Sequence, residues 1–242
     1  MRLVRLVTAL CTTATLALAG VAPAGAGPGL AGRLVFLDAG HSADGGSTAQ
    51  VPNGRGGAKD CQTSGTATDG GYPEHTFNWD VTQRVRTELS ALGVRTELSR
   101  ADDSGPAPCI DVRAAAANAA QPDAIVSIHA DGGPAGGHGF HVNYSAPPLN
   151  AVQGGPAVTL ATTMRDSLAD AGLTPSTYLG DDGLFARPDL AGLNLAEYPA
   201  VLVELGNMRN AEDAAVMTSA DGRARYAAAV TSGIVAFLRQ SA

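Results

Sequence analysis

Positive charge is in short supply in this sequence. Its 242 residues carry 16 Lys+Arg against 23 Asp+Glu, a formal net charge of −7. Nucleic-acid binding rests on cations clustered against phosphates, so an acidic chain is a poor candidate for it. Cysteine is also scarce, with three in the chain and none in a CxxC pair. Internal repeats are lacking, as is any Pro/Ser/Thr linker that would separate a second domain. The apolar run near the start is broken by Thr8, Thr12, Thr13 and Thr15, and it falls short of the roughly 20 residues that a stable membrane span needs.

What the N-terminus does have is the pattern of an export signal. Arg2 and Arg5 form a positive start, Val7 to Val21 is mostly apolar, and Ala24-Gly25-Ala26 offers small residues for cleavage. Residues 1–26 are therefore expected to leave as a cleaved secretory signal peptide. Residues 27–242 would remain as one domain in a secreted, periplasmic or cell-wall location. Loss of the two arginines takes the formal net charge from −7 to −9. Cys11 leaves as well, and the even count that remains in an exported chain points to a Cys61–Cys109 disulfide. Two buried free thiols or a two-thiol metal site are the alternatives.

Short apolar runs alternate with helical patterns, which is the signature of an α/β fold. Strands are expected at Leu34 to Leu37, Val94 to Leu98, Ala124 to Ile128, Gly139 to Tyr144, Leu184 to Ala186 and Ala200 to Val203. The uninterrupted character of "AIVSI" and "AVLV" fits a mostly parallel sheet of about six strands with helices on both faces. Phe77, Val81, Val85, Leu89 and Leu92 recur at three and four within Glu74 to Leu92, which marks one face of a helix. Further helices are expected at Ile110 to Ala120, Ala157 to Ala171 and Asp221 to Leu238. Residues 42–72 and Ala130 to Gly139 are glycine-rich and read as loops, functional or mobile.

Three useful side chains follow three strands. His41 stands after the first, His129 after "AIVSI" and Glu204 after "AVLV". In a parallel sheet all three reach the carboxyl edge, where α/β folds bind ligands. Glu74 opens the first long helix at the same edge, although any helix start favours a carboxylate there. Two imidazoles and one carboxylate are a familiar zinc set with a position left for water. Each residue has a plainer reading: a loop histidine, a helix-start acid, a satisfied core group. His75, His138 and His141 are the competing candidates. His141 lies within a strand, where it is either structural or a substrate contact.

With these residues in hand, the sequence resembles the zinc-dependent N-acetylmuramoyl-L-alanine amidases, the amidase_3 family of peptidoglycan hydrolases. "LDAGHSADGG" matches that family's first-strand motif with a short insertion. Glu74-His75-Thr76-Phe77-Asn78 matches its E-x-x-x-N, and "SIHAD" matches its S-I-H-A-N with Asp131 in place of Asn. "PAVLVELGNMRN" from Pro199 to Asn210 matches its last-strand motif with Asn207 in place of Phe. The likeness spans about residues 33–239.

The resemblance implies a single twisted sheet, one zinc ion per chain held by His41, Glu74 and His129, and Glu204 as catalytic general base. The implied reaction is hydrolysis of the amide between the lactyl group of N-acetylmuramic acid and the L-alanine of the stem peptide. The substrate would be peptidoglycan or muropeptide fragments, with remodelling or turnover of the cell wall as the outcome. A monomer is expected. Asp38 would orient a metal histidine from behind or merely shape its turn, Asn78 and Asp131 would support the site or touch substrate, and Arg187 would meet a stem-peptide carboxylate. Two other readings stay open: a zinc peptidase that cuts inside the stem peptide, and a non-catalytic peptidoglycan-binding protein.

Overall fold

The computed structural model describes residues 29–241, so the expected signal peptide lies outside the described residues. The chain runs β1 (Leu34–Ala39), β2 (Ser47–Pro52), β3 (Ala58–Gln62), α1 (Glu74–Ala91), β4 (Arg95–Leu98), α2 (Ile110–Ala120), β5 (Ala124–Asp131) and β6 (His141–Ser145). It continues through α3 (Ala151–Gly154), α4 (Pro156–Asp170), β7 (Leu184–Arg187), α5 (Ala191–Asn194), β8 (Ala200–Asn207), α6 (Ala211–Thr218) and α7 (Ala220–Gln240).

Six strands form one sheet in the order β4-β1-β5-β8-β6-β7. The first four are mutually parallel, β6 runs antiparallel to β8, and β7 is parallel to β6. The expected α/β sheet of about six mostly parallel strands is thus present. Its minority direction lies at the β6-β7 edge.

Side chains alternate across a strand, and the register sorts them cleanly onto two faces. On one face, Val35, Leu37, Val126, Ile128, Val201, Val203, Leu205 and Val142 pack against α1, α4 and α7. From α1 come Phe77, Val81, Val85 and Leu89, all with no exposure. Each such side chain contributes about 1.5–3 kcal/mol by leaving water, before conformational entropy is counted. The helix ends where expected: Gly93 takes φ 79°, and Val94 N–H closes on Leu89 O at 3.0 Å.

The other face is divided. Its lower half is a small apolar cluster of Phe36, Ile125 and Ala200 under Ala117 of α2 with Leu193 and Ala196 near α5. Its upper half is polar, and two rows cross the strands there: Asp38, Ser127, Leu202 and Asn143, then His129, Glu204 and His141. One sheet face therefore builds the core, while the other raises polar groups beside a smaller core.

Residues 42–72, read from sequence as loop, contain a β-hairpin. β2 and β3 pair antiparallel, with an irregular register between Ser47 and Gln50. Their sequences, "STAQVP" and "AKDCQ", have no alternating apolar face, because the hairpin lies largely exposed. Its turn is docked: Arg55 donates to Asn194 Oδ1 (3.1 Å), Ser145 Oγ (3.1 Å) and Pro147 O (2.6 Å). The expected Cys61–Cys109 disulfide is present and ties the end of β3 to the start of α2. The short helices α3, α5 and α6 add to the expected four. α6 is announced by Asn210, whose side chain accepts from Glu212 N–H and Asp213 N–H.

The bridge closes a loop of sequence separation 48, for which the chain-entropy model gives about 4 kcal/mol. Replacing both Cys61 and Cys109 by Ser should lower unfolding stability by about 2–4 kcal/mol. Denaturant titration under oxidising conditions checks this, and an unchanged midpoint would contradict it.

Candidate metal centre and active site

Glu74 is the first residue of α1, yet its carboxylate does not cap its own helix. It is buried, and Oε2 accepts from Thr66 N–H (3.0 Å) while Oε1 accepts from Ala130 N–H (3.2 Å) and Asn78 Nδ2 (3.3 Å). Two imidazoles approach the same carboxylate: His129 Nδ1 lies 3.0 Å from Oε1 and His41 Nε2 lies 3.2 Å from Oε2. The two rings meet edge to face at 4.8 Å between centroids. Burial alone would raise the pKa of Glu74, but the hydrogen bonds and charges of His129 and His41 outweigh it and hold the group well below its usual range.

Backbone geometry explains how a strand end places His41 here. Gly40 N–H bonds to Ile128 O at 3.1 Å, and His41 then turns into the left-handed region at φ 58°. Its Nδ1 sits 2.9 Å from Thr63 O, which makes Nδ1 the donor there and leaves Nε2 facing the cluster. Two glycines make the close packing possible. A Cβ on Gly40 would lie 2.2 Å from His129 Cε1, and one on Gly65 would lie 2.9 Å from both Glu74 Oε2 and His41 Cγ. Gly65 also takes φ 76°, where a side chain is strained.

The three residues fit a divalent cation. Their candidate ligand atoms lie within 4.8 Å of one another, the one such group of three or more His, Cys, Asp or Glu among the described residues. Two atoms sharing a tetrahedral zinc at its usual bond lengths are about 3.3 Å apart, close to the two histidine–carboxylate separations. Burial pushes the His129 imidazole below its ordinary pKa despite Glu74, toward the neutral form that binds metal. On His41 burial acts the same way, but the Glu74 hydrogen bond wins and the pKa is raised.

Glu204 stands one strand over, in register with His129 on β5 and His141 on β6. Its Oε2 is buried without a hydrogen-bond partner. Burial raises its pKa well above the usual value, the charges of Glu74 and Asp131 push the same way, and Arg187 only partly opposes them. A carboxyl so placed is a proton acceptor of increased basicity.

The remaining sequence candidates divide. Asn78 supports the cluster directly, bonding Glu74 and also Gly40 O at 3.2 Å. Asp38 meets no histidine: its Oδ2 accepts from Arg113 Nη2 (2.8 Å) and Ser127 Oγ (2.7 Å), and Thr63 O does the orienting expected of it. Burial would raise the Asp38 carboxyl, but the Arg113 charge and the bonds from Ser127 and Arg113 bring it to about 2. Asp131 accepts from Gly132 N–H (2.7 Å) and from Tyr178 Oη (2.9 Å). Arg187 is held by both oxygens of Asp189 at 2.7 Å and stacks on Phe185. His75 is drawn away to Asp103 Oδ1 at 2.8 Å, and His138 is not part of the cluster. Thr63, Gly65 and Tyr178 were not legible as site residues, because nothing local in their sequence marks the contacts they make.

A cavity of about 130 Å³ lies beside this centre, between the divided sheet face, α2 and the Leu190–Leu193 turn, and His41, His129 and Arg113 form its polar end.

Comparisons with known proteins agree with one another. Residues 35–236 match the Amidase_3 family, described as N-acetylmuramoyl-L-alanine amidase. The chain is 59% identical over 211 residues to the N-acetylmuramoyl-L-alanine amidase Rv3717 of Mycobacterium tuberculosis, covering 86% of this chain and 88% of that one. Among solved structures, the amidase Ami1 of Mycobacterium smegmatis superposes with a TM-score of 0.86 at 59% identity, over 87% of this chain and 99% of that one. The apo form of Ami1 from Mycobacterium abscessus gives 0.85 at 64% identity, over 86% and 100%.

Gly40→Ala should weaken uptake of zinc by tenfold or more in a metal titration, since its Cβ enters the His129 ring. Gly105→Ala, which meets nothing within 4 Å, should not change it. Asp38 provides a pH test. Its folded pKa of about 2 lies below its ordinary 3.8, so its contribution is present above about pH 4 and is lost as pH falls toward 2. Asp38→Asn should remove about 2 kcal/mol of stability at neutral pH and flatten the stability slope between those values. Parallel acid titrations of the two proteins would contradict this if they kept equal slopes.

Proposed function

The chain belongs to the Amidase_3 family of N-acetylmuramoyl-L-alanine amidases, and on that premise we propose that it is a zinc-dependent hydrolase of the bond between the lactyl group of N-acetylmuramic acid and the L-alanine of the stem peptide. The observation that carries the zinc dependence is the buried His41–Glu74–His129 cluster, whose donor set suits that ion. Residues 27–242 would act as one monomeric catalytic domain outside the cytoplasm. Among the described residues no helix is long and apolar enough to cross a membrane. The acidic net charge gives little nonspecific attraction to anionic wall polymers and favours small muropeptide fragments as substrate.

Zinc held by His41 Nε2, His129 Nδ1 and a Glu74 oxygen would supply an acidified water at neutral pH and an electrophile for the scissile carbonyl. The chain's own residues do the rest. Thr63 O keeps His41 in the tautomer that presents Nε2, and Asn78 holds the Glu74 carboxylate in place. Glu204 takes the proton from the attacking water as the C–O bond forms. It then gives that proton to the alanine nitrogen as the C–N bond breaks. Its raised pKa suits both steps, because a weakly acidic carboxyl accepts readily and still releases to an amine.

Product masses from a purified sample given muramoyl dipeptide and intact sacculi test the bond assignment. Free peptide beginning at L-alanine, lost with a chelator and restored by zinc, is the expected result. Fragments cut within the stem would instead establish a peptidase. Glu204→Gln should lower turnover by about 100-fold or more while zinc stays near one per chain. His129→Ala should lose zinc and turnover together.

A further inference from the structure

The amidase mechanism leaves one buried histidine without a task. His141 is 1% exposed in the middle of the polar face, and its Nδ1 is buried with no hydrogen-bond partner. Directly opposite it in the antiparallel β6-β8 ladder stands Glu204, whose Oε2 is likewise buried and unpartnered. Residues paired in this way project from the same face, with Cβ atoms about 4.5–5.5 Å apart. Two buried polar atoms left unpartnered on paired residues cost stability unless they serve each other or a ligand.

Their chemistry is complementary. Burial lowers the pKa of His141 to about 4, with Asp131 opposing and Arg187 assisting, so the ring is a neutral imidazole with one N–H to give. Asp131, the other carboxylate nearby, receives Gly132 N–H and the Tyr178 hydroxyl and accepts nothing from His141. Arg187 is committed to Asp189. Tyr178 and Phe185 pack edge-on against the imidazole at 6.4 and 5.8 Å between centroids and flank the ring.

Resting on the amidase reading, we propose that His141 is a positioning residue for Glu204, its Nδ1–H donating a hydrogen bond to Glu204 Oε2 in the working site, directly or through one bridging water. The bond leaves Oε1 free for the proton that moves between water and the alanine nitrogen. It holds the carboxylate against rotation during that transfer. His141 itself touches neither substrate nor metal.

The test compares two substitutions of nearly equal shape. His141→Asn keeps a donor close to the place of Nδ1, and His141→Leu does not. Steady-state hydrolysis of muramoyl dipeptide, zinc content and thermal unfolding are measured for both and for the parent. His141→Leu should keep zinc near one per chain and KM within about threefold while kcat falls about 10- to 100-fold. His141→Asn should recover most of that kcat. If His141→Leu does not fold, His141→Phe takes its place, filling the aromatic pocket without a donor. Unchanged kcat in the donor-free variant, a loss confined to KM, or no advantage of Asn over Leu would each overturn the proposal. Failure of the parent itself to release L-alanine peptide would be a failure of the amidase reading, and the parent control separates it.

Discussion

A buried carboxylate with its partners supplied from around the molecule is the constraint on which the rest of this structure depends. Removing Glu74 from water would be costly for an unpaired charge. It is offset by backbone N–H groups from the Thr66 loop and the end of β5, an amide one helical turn along α1, and two imidazoles, one from the turn after β1 and one from β5. No one of these segments can move without unpairing the charge, so the loop, the helix start and two strand ends are fixed as a unit. The same crowding requires glycine at positions 40 and 65, where any Cβ would enter a proposed ligand.

Around that centre, the division of labour between the two sheet faces gives the fold its function. The face under α1, α4 and α7 contains the main apolar core. The opposite face is thinly covered by α2, α5 and the disulfide-tethered hairpin, which lets polar rows survive beside the small core. Asp38, Arg113 and Ser127 neutralise one another behind the centre. Glu204 and His141 stand in front of it without such partners, and unmet polar capacity at that position is where chemistry on a substrate is to be expected.

Much of this was legible in the sequence, for identifiable reasons. The strands carrying His41, His129 and Glu204 are uninterrupted apolar runs, and α1 has a clear apolar period, so the elements and their common edge could be placed. The hairpin at Ser47 to Gln62 could not, because an exposed ribbon needs no apolar alternation and its glycines read as loop. The reversal of β6 and β7 leaves no mark in local pattern. The support for the site was equally hidden: Thr63 acts through its carbonyl, Gly65 through the absence of a side chain, and Arg113 through a contact 75 residues away at Asp38. Asp38 looked like a partner for a histidine on proximity alone, and the nearby guanidinium decided otherwise.

The central claim is that this buried carboxylate and two imidazoles exist to hold one zinc ion. X-ray absorption at the zinc edge on the purified, metal-loaded protein tests it most directly. The account predicts one zinc per chain with two imidazole nitrogens, carboxylate and water oxygens, and no sulfur, the cysteines being joined to each other. A sulfur-containing shell, or a protein that takes up no zinc with Glu74, His41 and His129 intact, would contradict it.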